Sequence, residues 1–150
     1  MAEGNKQYSI LYAEDSEDDF LLIKDALEET NSEAKLIWVR DGQELLDYLE
    51  NKGKYTDKSL NKLPDIILLD LKMPVMNGTE ALEKIRAQKR FATIPIIVLT
   101  TSKSKEDQDK TYKLGANSYI QKPDWYENMV QLMNTINNYW FQVVVLPEKD

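Results

Sequence analysis

The stretch Pro64-Asp65-Ile66-Ile67-Leu68-Leu69-Asp70 restricts the fold more than any other part of this chain. The five residues from Asp65 to Leu69 are too few for an amphipathic helix, and with Pro64 before them and Met73-Pro74 after, they read as a buried central strand. The strand ends in a carboxylate. Taken alone, an acid in that place reads as a turn residue or a helix cap, so the meaning of Asp70 depends on where the other strands end.

Residues 1–7 are polar and read as a tail. Tyr8 to Ala13 has the aromatic and β-branched content of a first strand and stops at Glu14-Asp15. Ser16 then makes a helix N-cap with Asp19 three residues on, and Phe20, Ile23 and Leu27 share one face. Glu17, Asp18 and Asp19 suit the positive end of that helix dipole and read as a solvated first turn. Lys35 to Val39 is a second strand, closed by Asp41-Gly42, with Leu45, Tyr48 and Leu49 marking the buried side of a second helix.

Residues 51–63 show no period and carry four lysines, as expected of a long surface loop with at most one helical turn. Turn formers fill Lys72 to Gly78, and a helix follows with Leu82 and Ile85 inward and Glu80 spaced to pair with Lys84. Ile94 to Leu99 is a wholly apolar strand ending in Thr100-Thr101-Ser102; burial on both sides implies a parallel sheet with helices on both faces. The helix from Lys105 to Leu114 has only Tyr112 and Leu114 as large apolar residues, is therefore weakly anchored, and ends at Gly115. Asn117 to Gln121 is the fifth strand, followed at once by Lys122-Pro123. A last helix begins near Asp124, with Trp125, Met129, Leu132, Ile136 and Tyr139 or Trp140 on one apolar face.

Strand and helix thus alternate five times, which favours an α/β fold: a five-stranded parallel doubly wound sheet, with ligands outside the carboxyl ends of its strands. The domain spans residues 8–141, and 142–150 form a C-terminal tail. With neither cysteine nor histidine, the chain has no thiolate or imidazole metal site, no histidine-dependent triad and no capacity to act as a phosphohistidine donor. The 26 acidic and 19 basic residues leave a net charge of −7, which opposes binding to nucleic acid or anionic membrane and welcomes a cation. No signal peptide or membrane span is visible, and the expected location is the cytoplasm.

The strand ends fall on one edge: Glu14 and Asp15 after the first, Asp70 after the third, Thr100 after the fourth, Lys122 after the fifth. Three crowded carboxylates disfavour one another's charge unless a cation joins them. Oxygen ligands without soft ones point to Mg²⁺, which keeps waters to offer a phosphate. A hydroxyl and an ammonium opposite are what the equatorial oxygens of an incoming phosphoryl group require.

Glu14-Asp15, Asp70-x-x-Met73-Pro74-x-x-x-Gly78, Thr100 and Lys122-Pro123 resemble the receiver domain of two-component response regulators, over roughly residues 8–141. The resemblance implies the flavodoxin-like strand order 2-1-3-4-5. It implies that Asp70 takes a phosphoryl group from a kinase phosphohistidine, and that Asp15 and Glu14 hold Mg²⁺ with Asp70 and the main-chain carbonyl of Lys72. Thr100 would hydrogen-bond the acyl phosphate, Lys122 would pair with it, and Tyr119 would be the switch aromatic that moves with Thr100; the alternative for Tyr119 is an ordinary strand aromatic. The Lys122-Pro123 bond is cis in the family; the sequence leaves its isomer here open, because cis is the minority state of X-Pro bonds in general. Thr101, often Ala or Gly there, and Lys72, a cation at the site rim, depart from the common pattern.

Asn138 to Pro147 and the loop before the third strand further resemble small single-domain regulators partnered with phytochrome-type histidine kinases. This implies a stand-alone switch able to form a homodimer through its last strand, last helix and tail; the alternative is that Val143 to Val145 pack on their own domain. A phosphorelay intermediate is a second functional reading. An aspartyl-phosphate phosphohydrolase of similar fold would carry a second acid where Lys72 stands. A P-loop is absent. A flavin-binding first loop would offer hydroxyls and amides, whereas Glu14 to Asp19 offers five acids in six residues.

Overall fold

A computed structural model describes residues 7–149; of the tail expected at 1–7 only Gln7 falls within them, and Asp150 lies outside. The elements are β1 (Ser9–Ala13), α1 (Glu17–Glu29), β2 (Lys35–Val39), α2 (Gly42–Glu50), β3 (Ile66–Leu69), α3 (Gly78–Arg86), β4 (Ile96–Thr100), α4 (Lys105–Leu114), β5 (Ser118–Gln121) and α5 (Tyr126–Asn138). All strand pairs are parallel, in the order β2-β1-β3-β4-β5. The expected α/β architecture and strand order are observed.

Alternation along the central strands builds two cores. Leu11, Ala13, Ile67, Leu69 and Ile96 face one side, where Leu45 and Leu49 of α2 and Leu82 and Ile85 of α3 cover them. Ile10, Tyr12, Ile66, Leu68, Ile97 and Leu99 face the other, under Ile23 and Leu27 of α1 and Met129, Met133 and Ile136 of α5. Every residue of β3 and β4 is buried. At roughly 1.5–3 kcal/mol per fully buried large apolar side chain, these two strands hold the sheet centre rigid.

Local signals set the helix starts. Ser16, Asp41, Asn77 and Ser104 each accept, through a side-chain oxygen, the N–H three residues on. The long 51–63 loop contains one helical turn, Gly53–Tyr55. Two expectations fail. The Glu80–Lys84 pair does not form, consistent with the small gain such a pair offers in solvent. Trp125 lies just before α5, which begins at Tyr126, and is 70% exposed, whereas Met129 and Ile136 are buried, Leu132 and Trp140 pack partly buried against the same core, and Met133 joins them. The Lys122–Pro123 bond, whose isomer the sequence leaves open, is trans, as are all peptide bonds among the described residues.

The tail takes a mixed course. A wide helical turn over Tyr139–Val143 brings Phe141 inward, stacked on Tyr8 with centroids 4.5 Å apart. Leu146 packs against the same core, and Lys149 Nζ reaches Asp65 Oδ1 at 3.2 Å and the Leu63 carbonyl at 3.3 Å. Val143 and Val145 stay exposed. No helix among the described residues is long and apolar enough to cross a membrane.

Between β3 and α3 the chain reverses sharply: the Met76 N–H donates to the Pro74 carbonyl at 2.7 Å around Val75, whose φ is +65°. A β-branched residue in that region carries about 1–3 kcal/mol of strain, and Val75 is 82% exposed, so little packing repays it. Val75→Gly is expected to stabilise the protein by about 1 kcal/mol, after allowing for the greater freedom of glycine in the unfolded chain, as measured by urea denaturation.

Candidate functional site

β1, β3 and β5 end together at the carboxyl edge of the sheet. The Asp70 N–H donates to the carbonyl of Ala13, the last residue of β1, at 3.1 Å, which carries the ladder one residue past β3. The Lys122 N–H donates to the carbonyl of Thr100, the last residue of β4, at 2.8 Å and carries that ladder one residue past β5. Both side chains therefore leave from main chain that is still hydrogen-bonded to its neighbours, which limits how far either can wander.

Lys122 is the centre of the arrangement. Its ammonium donates to Glu14 Oε1, to Asp19 Oδ2 at 2.9 Å and to Asp70 Oδ2 at 3.3 Å. Glu14 is 1% exposed and Asp70 5%. The Glu14 carboxylate also accepts the Tyr12 hydroxyl at 3.1 Å and the Ser16 N–H at 3.2 Å. Asp70 Oδ1 accepts the Lys72 N–H at 3.4 Å, while the Lys72 side chain is exposed at the rim.

The charges do not balance. Glu14, Asp19 and Asp70 contact one ammonium, and Asp15 stands close by: Glu14, Asp15 and Asp70 each offer an oxygen within 4.8 Å of the others. Burial, with the charge of Asp70 added, pushes the Glu14 carboxyl up to about 7 although Lys122 opposes the shift. Burial alone would favour the neutral amine of Lys122, but its bonds to Asp19 and Glu14 and the charge of Asp70 outweigh it and raise its pKa, so it remains an ammonium. Burial and the neighbouring Glu14 raise the Tyr12 hydroxyl, which stays a neutral donor. A hard divalent cation suits a surplus of carboxylate oxygens of this kind.

Glu14, Asp15, Asp70 and Lys122, selected from sequence, thus come together. Thr100 is wholly buried at the end of β4, but its hydroxyl accepts the Ser102 N–H at 3.4 Å and makes no bond to Asp70 or Lys122. Tyr119 lies further out on β5, its hydroxyl donating to the Ser102 carbonyl at 3.0 Å. Asp19, read as part of a solvated turn, instead pairs with Lys122; its place on the first turn of α1, directly above the strand ends, brings it there. Tyr12 was also missed, although a tyrosine two residues before Glu14 on one strand must share its face.

Two close approaches hold the loop that follows Asp70. A Cβ on Gly78 would lie 2.2 Å from the Asp70 carbonyl oxygen, and one on Gly42 2.3 Å from that of Met76. Both glycines also donate within this region, Gly78 to the Leu71 carbonyl and Gly42 to the Met76 carbonyl, each at 2.9 Å.

Helix α4 sits beside this edge with Thr111 as its only buried residue. Its far end is secured: Arg86 Nε donates to the Gly115 carbonyl at 2.9 Å, and the same guanidinium reaches the carbonyls of Phe91 at 3.0 Å and Ile94 at 2.9 Å and Asn117 Oδ1 at 3.0 Å. Gly115 has φ +111°, and a Cβ there would meet Arg86 Cγ at 2.9 Å. The Tyr119 N–H donates to the Tyr112 hydroxyl at 3.0 Å, a second tie near the same end.

Gly78→Ala is expected to lower stability by about 2–3 kcal/mol, since the added methyl meets backbone and not a yielding side chain. The urea midpoint measures the loss, and the variant's urea slope should match the unmodified protein's.

Comparison with known proteins gives a consistent result. Residues 10–137 match the family described as response regulator receiver domain. Response regulator Rcp1 of Synechocystis sp. (strain PCC 6803) is 32% identical over 145 residues, covering 97% of this chain and 97% of that protein. The crystal structure of a phosphorylated cyanobacterial phytochrome response regulator, RcpA, superposes with a TM-score of 0.88 at 33% identity, over 95% of this chain and 100% of that one. The Mn²⁺-bound form of Rcp1 gives a TM-score of 0.84 at 32% identity, over 94% and 99%.

Proposed function

The chain belongs to the response regulator receiver domain family, and on that premise we propose that Asp70 is the residue that takes a phosphoryl group from the phosphohistidine of a sensor kinase in the cytoplasm. The observation that carries this reading is the placement of Asp70: buried at a strand end, with Lys122 on one oxygen, the Lys72 N–H on the other, and Glu14 and Asp15 alongside.

In the proposed step an Asp70 oxygen attacks phosphorus in line with the departing imidazole nitrogen. The P–O bond forms as the P–N bond breaks, and the nitrogen keeps the electron pair. Glu14, Asp15 and Asp70, with the Lys72 carbonyl, would hold Mg²⁺, which when bound neutralises the acid cluster and the phosphoryl oxygens. The donor chemistry supports this, as does the existence of a Mn²⁺-bound form of Rcp1. Lys122, already 3.3 Å from Asp70 Oδ2, would exchange a carboxylate for a phosphoryl oxygen. The Thr100 hydroxyl, one strand over, would release the Ser102 N–H and donate to another.

That exchange would supply the switch. Withdrawing Thr100 from Ser102 loosens the loop that also accepts the Tyr119 hydroxyl, and α4, with a single buried residue, offers little resistance. A phytochrome-type kinase is the proposed partner, because RcpA is a cyanobacterial phytochrome response regulator.

With Mg²⁺ and acetyl phosphate, the intact mass is expected to rise by one phosphoryl group, and Asp70→Asn is expected to abolish the increase; equal labelling of both proteins would remove Asp70 from the role.

A homodimer is the further reading, favoured by Tyr139, Val143 and Val145, which lie exposed near the end of the last helix and in the tail; Val145 is 94% exposed. The double variant Val143→Asp/Val145→Asp is expected to sediment as a monomer at concentrations where the unmodified protein self-associates. An unchanged sedimentation coefficient would place any association surface elsewhere.

A further inference from the structure

We infer that Trp38 is a positioning residue for the acid pair: its indole N–H, donated to the main-chain oxygen of Glu14, sets the peptide plane from which Asp15 projects and so controls how tightly the site takes a divalent cation. The inference rests on the reading of Glu14, Asp15 and Asp70 as a cation site.

The need for such a residue follows from what Asp15 lacks. Glu14 is held through its side chain by Lys122, Tyr12 and Ser16, and Asp70 by Lys122 and Lys72. Among the described residues, no hydrogen bond or ion pair to the Asp15 side chain is found, and that side chain is exposed. Its position is inherited from the backbone alone.

That backbone is clamped to β2 at two points. The Glu14 N–H donates to the Val39 carbonyl at 3.0 Å, and the Glu14 carbonyl accepts the Trp38 indole N–H at 2.7 Å. Because the peptide unit is planar, fixing the Glu14 carbonyl oxygen also fixes the nitrogen and Cα of Asp15. A small tilt of that plane would be magnified at the Asp15 carboxylate, two bonds further out.

The indole is itself held in place. Its residue lies on the edge strand, opposite Tyr12 in the register, and the ring stacks on Phe20 with centroids 4.2 Å apart and planes 5° from parallel. The Arg40 guanidinium lies 4.5 Å from the ring centroid. Stacking against α1 and the cation fixes the ring plane and leaves the N–H one direction in which to point. Nothing in the Glu-Asp motif itself specifies this support: it comes from a different strand, through a side chain that touches no ligand atom.

The test measures metal binding directly. Mn²⁺ and Mg²⁺ affinities are determined by calorimetry for the full chain, for Trp38→Phe, and for a variant carrying 3-benzothienylalanine at 38, which keeps the fused ring and loses only the donor. In parallel, 5-fluorotryptophan is incorporated and the ¹⁹F resonance of residue 38 is followed during Mg²⁺ titration. Removing an outer support of a metal ligand typically weakens binding about 10- to 100-fold. Both donor-less variants are expected to fall in that range, and the residue 38 resonance is expected to shift with the calorimetric Kd in the unmodified protein but not in Asp15→Asn. Affinities within twofold of the unmodified protein in both variants would overturn the inference. Loss in Trp38→Phe with full affinity in the benzothienyl variant would overturn it too, since stacking would then be the cause. If the unmodified protein takes up no divalent cation, the underlying site reading fails, and that result is distinguishable from the other two.

Discussion

A single buried ammonium surrounded by carboxylates is the constraint to which the carboxyl edge of this sheet answers. Taking each ion out of water costs several kcal/mol, and the attraction between them compensates only where distance and direction are well held. Lys122 therefore needs Glu14, Asp19 and Asp70 in place at once, and they come from β1, α1 and β3 respectively. The surplus of negative charge is equally important. Four acids against one ammonium leave an electrostatic deficit that a cation can fill without any side chain crossing the site.

The sheet meets this demand by extending its hydrogen bonding beyond the strands. Ala13 to Asp70 and Thr100 to Lys122 are ladder steps that continue into what would otherwise be loop, so Asp70 and Lys122 stand on hydrogen-bonded main chain continuous with the core below. Where the chain must leave the sheet, it is compressed. Gly78 lets the start of α3 lie against the Asp70 carbonyl, and Gly42 lets α2 press on the same loop at Met76. The left-handed Val75 between them is a local conflict tolerated because its neighbours on both sides are locked.

The buried strands were easy to read, because runs such as Ile66 to Leu69 and Ile96 to Leu99 admit few alternatives at their length. The strand-end acids and Lys122 were likewise legible, since chain order and right-handed crossovers force them to one edge. The parts that stayed hidden depend on distances across the fold. Asp19 and Glu17 look alike in sequence, and only the angle at which α1 leaves β1 turns one toward Lys122 and the other to solvent. Trp38 reads as an ordinary strand aromatic until its indole is seen against Glu14. Trp125 has the spacing of the inward face of α5 but sits ahead of the helix and stays exposed, a boundary that periodicity does not mark. The tail divided its residues in a way no periodicity announces: Phe141 and Leu146 turn in and Val143 and Val145 turn out.

The fastening of α4 at one end has a mechanical consequence. Arg86 gathers the carbonyls of Gly115, Phe91 and Ile94 and the side chain of Asn117 into one knot, while the opposite end of the helix is capped by Ser104 and tied to the loop after β4 through Ser102 Oγ, which donates to Asp107 Oδ2 at 2.6 Å. A rod of ten residues pinned this way is a cantilever about 15 Å long. Rotation about its root by about 10° carries the tip through about 2.6 Å while leaving the root almost stationary. The stroke is greatest beside Thr100, so a displacement there would be read out as a swing of the whole exposed flank.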